Sequence, residues 1–446
     1  MTFYHSERNN EVSMKRLLIF LSLFVFLLLS CDKEDKIDEE DSPEERIIDR
    51  NYDFGKGSIP RNVLESYLSR AIDQGNFCQP PSGDPEFQEN LRMLQNIGAK
   101  FIGRAAFVWT PDRPDDEHFE IVTEKARQAH NADPDFLLQC CIFEAVFKSD
   151  NELTNYGVDQ IKIPDFVFEE FDLPIQERNF DYEAMLYQDG VFKNHWVQGA
   201  SIPDITQLET QMYFYYRAVR YINAGFEGIH FGQIELMAKN DKDFQVWKGL
   251  LDRIREYAVK NARRGTIICD AHVPSGGIVL DNDSLLLDFH SFPQRPQEIC
   301  GSPYECFLRI GFIDAFYKRS KGGVTPSGWS CESLPYLVGF DNSGASNPGV
   351  CGQEPKYWPW GWDEISWFAH CDSSYRNYWL EYAWDWIEKN DPNGFLEMPG
   401  YATIAADPIP RKEGGLIWTY RINKKSEACP DGFGQEETAK MIWQNN

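Results

Sequence analysis

The stretch Thr206–Glu235, TQLETQMYFYYRAVRYINAGFEGIHFGQIE, decides how the rest of the chain is read. Leu208, Met212, Tyr215, Val219 and Ile222 recur at helical intervals, which predicts an amphipathic helix. Thr206 and Glu209 have the spacing of a capping box at its start. Gly225 supplies the left-handed position that ends such a helix. Beyond it, Gly228 to Glu235 reads as a buried strand that delivers a carboxylate at its end.

Working outward, the same helix-then-strand unit repeats. Strands are expected at Phe101–Trp109, Phe136–Phe147, Glu183–Tyr187, Thr266–His272, Leu285–His290, Tyr336–Asp341 and Phe395–Met398. With Gly228–Glu235 that makes eight. Helices are expected at Arg61–Asp73, Pro85–Asn96, Asp115–His130, Asp243–Asn261, near Phe307–Tyr317, and at Tyr375–Lys389 and Glu436–Trp443. The strand-like runs are nearly continuous in apolar residues, as a parallel sheet covered on both faces requires. Eight strands alternating with helices predict an α/β fold, a (β/α)8 TIM-type barrel with long loops over residues 53–446. A doubly wound open sheet competes, but no glycine-rich phosphate turn follows the first strand. The proline-punctuated segment 148–205 reads as a large loop over the site.

Composition narrows the partners. A formal charge of -26 repels nucleic acid and anionic lipid head groups, so a neutral or cationic ligand is favoured. At the start, Lys15-Arg16 precede an apolar run from Leu17 to Leu29 that ends in Leu28-Leu29-Ser30-Cys31. A basic n-region, a short apolar region and a small residue before cysteine predict a secretory signal over residues 1–30. The ending resembles a bacterial lipoprotein box, which implies cleavage before Cys31 and lipid attachment to it. Residues 31–52 are acidic and too polar to fold, a flexible tether. In surface lipoproteins of polysaccharide-degrading Gram-negative bacteria, a similar acidic stretch looks like an export signal, implying an outer-membrane address facing the exterior. Outside the cytoplasm disulfides are permitted, and Cys300, Cys306, Cys331 and Cys351 lie in loop-like stretches they could staple. Cys140, Cys141 and Cys269 read as buried hydrophobes.

In a barrel, polar residues at the C-terminal ends of strands define the site. Here these are Glu144, Glu235, Asp270, His272, Asp288, His290, Asp341, Asn342 and Glu397. Two carboxyls in different surroundings are what glycoside hydrolysis needs, one protonated and one ionised. The arrangement resembles (β/α)8 glycoside hydrolases whose proton donor follows the fourth strand and whose nucleophile follows the seventh. That resemblance implies Glu235 as proton donor and Asp341 as base or nucleophile. The chain departs from such enzymes in having Ile234 where they carry Asn, and Asp341 where they carry Glu.

Candidate substrate contacts are Arg104, Trp109, Glu144, His230, Asp270, His272, His290, Trp360 and Trp362. Indole rings can stack on the apolar faces of sugars, and Trp196, Trp329 and Trp358 also fall in loops or at strand ends. His230, His272 and His290 also suit a metal-dependent hydrolase, but the His-x-His that such barrels carry on their first strand is replaced by Phe107-Val108-Trp109. No serine-hydrolase elbow, phosphate loop or zinc-protease helix motif is found. The expected protein is a surface-anchored carbohydrate-active hydrolase working on an oligo- or polysaccharide without a cofactor. A non-catalytic glycan-binding lipoprotein is the first alternative, and a metal-dependent hydrolase the second.

Overall fold

The computed structural model describes residues 48–80, 85–342, 350–352, 358–411 and 414–445. The predicted signal, Cys31 and nearly all of the tether lie outside them. In chain order the principal elements are α1 (Arg61–Leu68), β1 (Ala71–Gln74), α2 (Pro85–Ile97), β2 (Phe101–Phe107), α3 (Asp115–Ala132) and β3 (Leu137–Cys141). Then come α4 (Leu208–Asn223), β4 (Gly228–His230), α5 (Gln245–Asn261), β5 (Ile268–Asp270), β6 (His290–Pro293) and β7 (Tyr336–Gly339). The chain finishes with α6 (Glu364–His370), α7 (Ser373–Asn390), β8 (Gly394–Leu396), β9 (Met398–Thr403), β10 (Thr419–Arg421) and α8 (Glu436–Asn445).

The fold is mixed α/β with a parallel sheet at its centre. Strands pair in parallel in the order β9, β1, β2, β3, β4, β5. A second parallel set runs β6, β7, β8. A parallel bridge between His272 and Ser291 links β5 to β6, and β10 pairs antiparallel on β9. β8 and β9 are one run of chain broken only at Glu397. Its first half pairs with β7 and its second half with β1.

Alternation along the strands sorts their side chains onto two faces. Ile72, Ile102, Leu138, Ile229, Cys269, Val338 and Leu396 pack against the helices, among Val122, Val219, Leu250, Ile254 and Trp379. On the opposite face, Ala71, Phe101, Leu137, Ile268, Phe289, Leu337 and Phe395 form a separate apolar cluster. Val63, Leu64, Tyr67 and Leu68 of α1 close that cluster from below. One residue from near the start of seven strands thus converges on a single plug.

Several expectations need correction. The helix predicted to reach Asp73 ends at Leu68, and Ala71–Gln74 is a fully buried strand. The strand predicted at Glu183–Tyr187 does not form; Glu183–Met185 is a single 3-10 turn. These two errors offset one another, so Gly228–His230 is still fourth in order and Tyr336–Gly339 still seventh. The capping box at Thr206 is absent. Thr206 instead donates its hydroxyl to Asp204 at 2.8 Å, while Glu209 is held by Arg178 at 2.6 Å. No helix forms between Phe307 and Tyr317, where Gly311, Ile313 and Phe316 all take positive φ.

Segment 148–205 is more than a loop. Val158, Ile163, Val167, Phe168, Phe180 and Met185 make a small core of their own against Met212 and Tyr216 of α4. Cys300 is bonded to Cys351, while Cys306 and Cys331 are free thiols. Among the described residues no helix is long and apolar enough to cross a membrane.

Candidate active site

Moving two residues along each strand from the apolar plug keeps the same face and changes its chemistry. Ala71 gives way to Asp73, Leu137 to Gln139, Ile268 to Asp270, Phe289 to Ser291 and Phe395 to Glu397. Phe101 and Leu337 give way to Gly103 and Gly339. The result is a polar network over an apolar floor, toward the C-terminal ends of the parallel strands.

Asp270 is its hub. Gln139 donates to its Oδ1 at 2.7 Å, Ser291 donates to its Oδ2 at 2.6 Å, and His230 Nδ1 lies 2.7 Å from the same Oδ2. Asp270 is fully buried, so these partners replace the water it has lost. Arg104 reaches Asp73 Oδ2 at 3.0 Å. It does so from a break in the register of β2 against β3, with φ of 52°, and its backbone N–H donates to Gln139 Oε1 at 3.1 Å. The bulge is what turns a strand residue toward its neighbour's carboxylate.

Glu397 occupies the break between β8 and β9. Its two oxygens fill the space beside two glycines: a Cβ on Gly103 would fall 2.5 Å from Oε1, and one on Gly339 would fall 2.6 Å from Oε2. Burial, reinforced by the charge of Asp73, pushes its carboxyl up to about 8 against the pull of Arg104. Glu397 therefore holds a proton at neutral pH. Burial raises Asp73 as well, while Arg104 and His230 pull it back.

A second cluster lies in the loops leaving β6 and β7. The Arg295 guanidinium bridges Asp314 at 2.6 Å, Asp341 at 3.0 Å and Glu364 at 3.1 Å. Glu364 also accepts the backbone N–H groups of Arg295 at 2.7 Å and Asp341 at 2.8 Å. Burial pushes Glu364 up to about 7, opposed by Arg295. His272 lies 3.5 Å from Asp314, whose carboxyl His272 and Arg295 hold below the usual range despite burial.

The sequence-predicted residues divide on this map. Arg104, His230 and Asp270 meet in the central network. Asp341 and His272 meet around Arg295. Glu235 lies in a single helical turn, Ile234–Met237, just after β4, and accepts the Ser275 hydroxyl. Glu144 holds that turn in place. It accepts the Gln233 N–H at 2.9 Å and packs against Gly232, where a Cβ would collide with the Glu144 carboxylate and φ is 54°.

His290 is not brought to the others. With Phe289 and Ser291 on the network face, His290 turns the opposite way, is fully buried against Gly277, and bonds Ser320 at 3.0 Å. Burial there holds its imidazole down to about 3, so it is neutral. Asp288 shares that side, paired to Arg255 at 3.0 Å. The three histidines thus point at three different partners. Among the described residues no group of three or more His, Cys, Asp or Glu has a metal-holding arrangement.

The tryptophans separate too. Trp109 packs edge-on against Phe143 and Trp196, with ring centroids 5.4 and 4.9 Å away. Trp362 is buried and stacked between Tyr304 and His370, at 5.6 and 4.2 Å. Trp360 is half-buried and donates to the Glu305 carbonyl at 3.1 Å. Trp329 donates to the Ile59 carbonyl at 3.0 Å, beside the floor cluster at the opposite end of the strands. Asp73, Gln139, Ser291, Arg295 and Glu364 were not singled out from sequence. The two-residue step from each apolar strand start identifies the first three. Arg295 lies in a loop and Glu364 opens the short helix α6, where no periodicity points to them.

No protein-family model matches the sequence, and no curated protein sequence matches it. Solved structures give partial similarities. The debranching enzyme of Nostoc punctiforme in its native form superposes with a TM-score of 0.26 at 12% identity, over 45% of this chain and 43% of that one. The α-amylase of Geobacillus thermoleovorans, complexed with acarbose, gives 0.26 at 11% identity, over 47% and 46%. The glycoside hydrolase domain of PelA from Pseudomonas aeruginosa gives 0.24 at 8% identity, over 54% and 83%. This chain spans less than half the length of the first two enzymes.

Proposed function

We propose that the eight parallel strands close into a (β/α)8 barrel, and that the protein is a glycoside hydrolase acting on an oligo- or polysaccharide at their C-terminal ends. Closure is supported by the pairing of the β8–β9 run with both β7 and β1, by the His272–Ser291 bridge, and by the seven-strand apolar plug. The observation that carries the chemistry is the contrast between neighbouring buried acids. Glu397 keeps a proton at neutral pH, whereas Asp270 serves as acceptor to Gln139, His230 and Ser291. Acids held in such different surroundings are what donating to a glycosidic oxygen and stabilising the charge that develops require.

On a separate ground, their places after β4 and β7, we assign Glu235 as the proton donor and Asp341 as the base or nucleophile. Glu235 lies in the helical turn after β4 and Asp341 in the loop after β7, where its side chain keeps 32% exposure. Glu397 is the rival donor. Reducing-sugar release from a polysaccharide panel tests the assignment with wild type, Glu235→Gln, Asp341→Asn and Glu397→Gln. Asp341→Asn and Glu235→Gln are expected to lower turnover by about 10²–10⁴-fold. Full activity in Glu235→Gln with loss in Glu397→Gln would move the donor role to Glu397.

One observation favours a second reading, glycan binding without turnover. Asp341 Oδ2 is engaged by Arg295 at 3.0 Å, in a cluster that Asp314 and Glu364 share, so its carboxylate also has a structural role. Binding of a panel glycan with no release of sugar from any would select it. We also propose that Cys31 carries a lipid that anchors the chain in the outer membrane facing the exterior, on the strength of Leu28-Leu29-Ser30-Cys31 and the acidic residues after it. Membrane fractionation of Cys31→Ala is the check, and its continued sedimentation with membranes would count against the anchor.

A further inference from the structure

A cavity of about 600 Å³ opens beside the polar network, between the loop leaving β2, the start of α3 and the flank of α4. No residue of the network lines it. Its volume falls within the range of about 300–1,000 Å³ typical of small-molecule sites. Trp109, Arg113, Asp115, Tyr213, Arg217 and Arg220 are among its walls.

Most of the charges in those walls are paired, and with Lys162, held by Glu177 at 2.6 Å, and Asp165 included the lining has as many acids as bases. Arg217 is ion-paired with Asp115, Arg220 with Asp116 at 2.9 Å, and Arg113 with Asp112 at 2.8 Å. Tyr216 ties the set together, donating to Asp115 at 2.6 Å and accepting from Arg220 at 2.7 Å. An anionic ligand would have to compete with aspartates already in place, and the Arg217–Asp115 pair is almost wholly buried, where separating partners is costly. A cation meets the same obstacle in reverse. A purely apolar ligand could use the apolar part of the lining, but would strip water from the ion pairs without replacing it. What fits is a neutral ligand with dense hydroxyl groups, able to donate to the carboxylates and accept from the guanidiniums, and with an apolar ring face for Trp109.

Position supports the same conclusion. Trp109 packs on Phe143 at 5.4 Å, and Phe143 packs on the His230 ring at 6.1 Å. An aromatic wall therefore runs from the cavity to the network. We propose that this cavity is a binding site for the neutral end of an oligosaccharide whose further units extend toward His230. The choice of sugar rests on the glycoside hydrolase reading; the existence of a neutral polyhydroxyl site rests on the cavity.

Isothermal titration of the full chain carrying Asp341→Asn, with cellohexaose, xylohexaose, maltohexaose and mannohexaose as probes and a heparin hexasaccharide as the anionic comparison, tests it. At least one neutral hexasaccharide is expected to bind, and both Trp109→Ala and Arg113→Gln are expected to raise its Kd at least tenfold. Arg113 lies at the surface, so Arg113→Gln remains informative if Trp109→Ala fails to fold. Binding of the heparin probe alone, no binding of any probe, or an unchanged Kd in both folded variants would overturn the proposal. Turnover assays keep the two readings apart. Hydrolysis without variant-sensitive binding leaves the enzyme standing and removes the cavity site, whereas variant-sensitive binding without hydrolysis does the reverse.

Discussion

The carboxyl of Glu397 lies in the space that a side chain on Gly103 would need: a Cβ there would come within 2.5 Å of Oε1 and 3.2 Å of the Ile72 carbonyl. β2 passes β1 and the acid together only because that position has no side chain. Gly103→Ala is therefore expected to destabilise the fold by about 1–3 kcal/mol, as overpacking does. In a Glu397→Ala background the added methyl has room, and much of that loss should vanish. A double-mutant cycle in urea settles it; equal losses in the two backgrounds would mean the clash with Glu397 is not the cause.

The proton on Glu397 makes stability depend on pH. Its carboxyl is raised to about 8 in the folded state, above the ordinary carboxyl range it has when unfolded. Between those two values the folded chain holds a proton the unfolded chain has released. The contribution is complete at acid pH, below the unfolded value, and drains away as pH climbs toward about 8. Each pH unit in that window removes at most about 1.4 kcal/mol for one such group. Glu364, raised to about 7, acts with the same sign. Urea midpoints should fall from about pH 5 to about pH 8, and Glu397→Gln should flatten the slope. Identical slopes would dismiss the buried proton.

Arg295 neutralises more than one acid at once. Removing it in Arg295→Ala strands Glu364 in the interior and frees Asp314 and Asp341 to repel one another. Loss of one partner from a buried ion pair costs about 3–5 kcal/mol, and that is the fall expected in chemical denaturation. Adding Glu364→Gln to Arg295→Ala should recover part of it. A double variant no more stable than Arg295→Ala would show that the Arg295–Glu364 pair is not what the fold depends on.

The Cys300–Cys351 bond spans 51 residues of chain. Closing a loop of that length restrains the unfolded state by about 4 kcal/mol in the chain-entropy picture. Paired Cys300→Ser and Cys351→Ser substitutions should lower stability by up to that amount. Peptide mapping without reduction should recover Cys300 linked to Cys351. A fragment linking Cys300 to Cys306 would contradict the pairing.

Much of the architecture was legible because long helices and buried strands carry their own periodicity, as the Thr206–Glu235 stretch does. β1 was missed because four buried residues, Ala71–Gln74, follow directly on an amphipathic helix and extend its pattern. The reverse error at Glu183–Tyr187 came from Met185 and Leu186, whose burial serves the small core against α4, and Tyr187, which packs on Phe192, none of them in a sheet strand. Site residues at strand ends could be listed from sequence. Which of them face one another depends on parity: Asp270 and His230 join, while His290, one residue from Ser291, turns away. Contacts between a loop and a distant helix end, such as Arg295 with Glu364, depend on the folded chain and leave no mark in one dimension.

The partnership of Ile72 with Met398 ties the beginning of the folded body to nearly its end. A nascent chain halted anywhere before Met398 leaves one edge of β1 with its backbone hydrogen bonds unanswered. Such a chain is a template for wrong strand addition, and β1 is paired on both sides only after residue Met398 has emerged. C-terminal truncation at Leu396 is accordingly expected to favour aggregation.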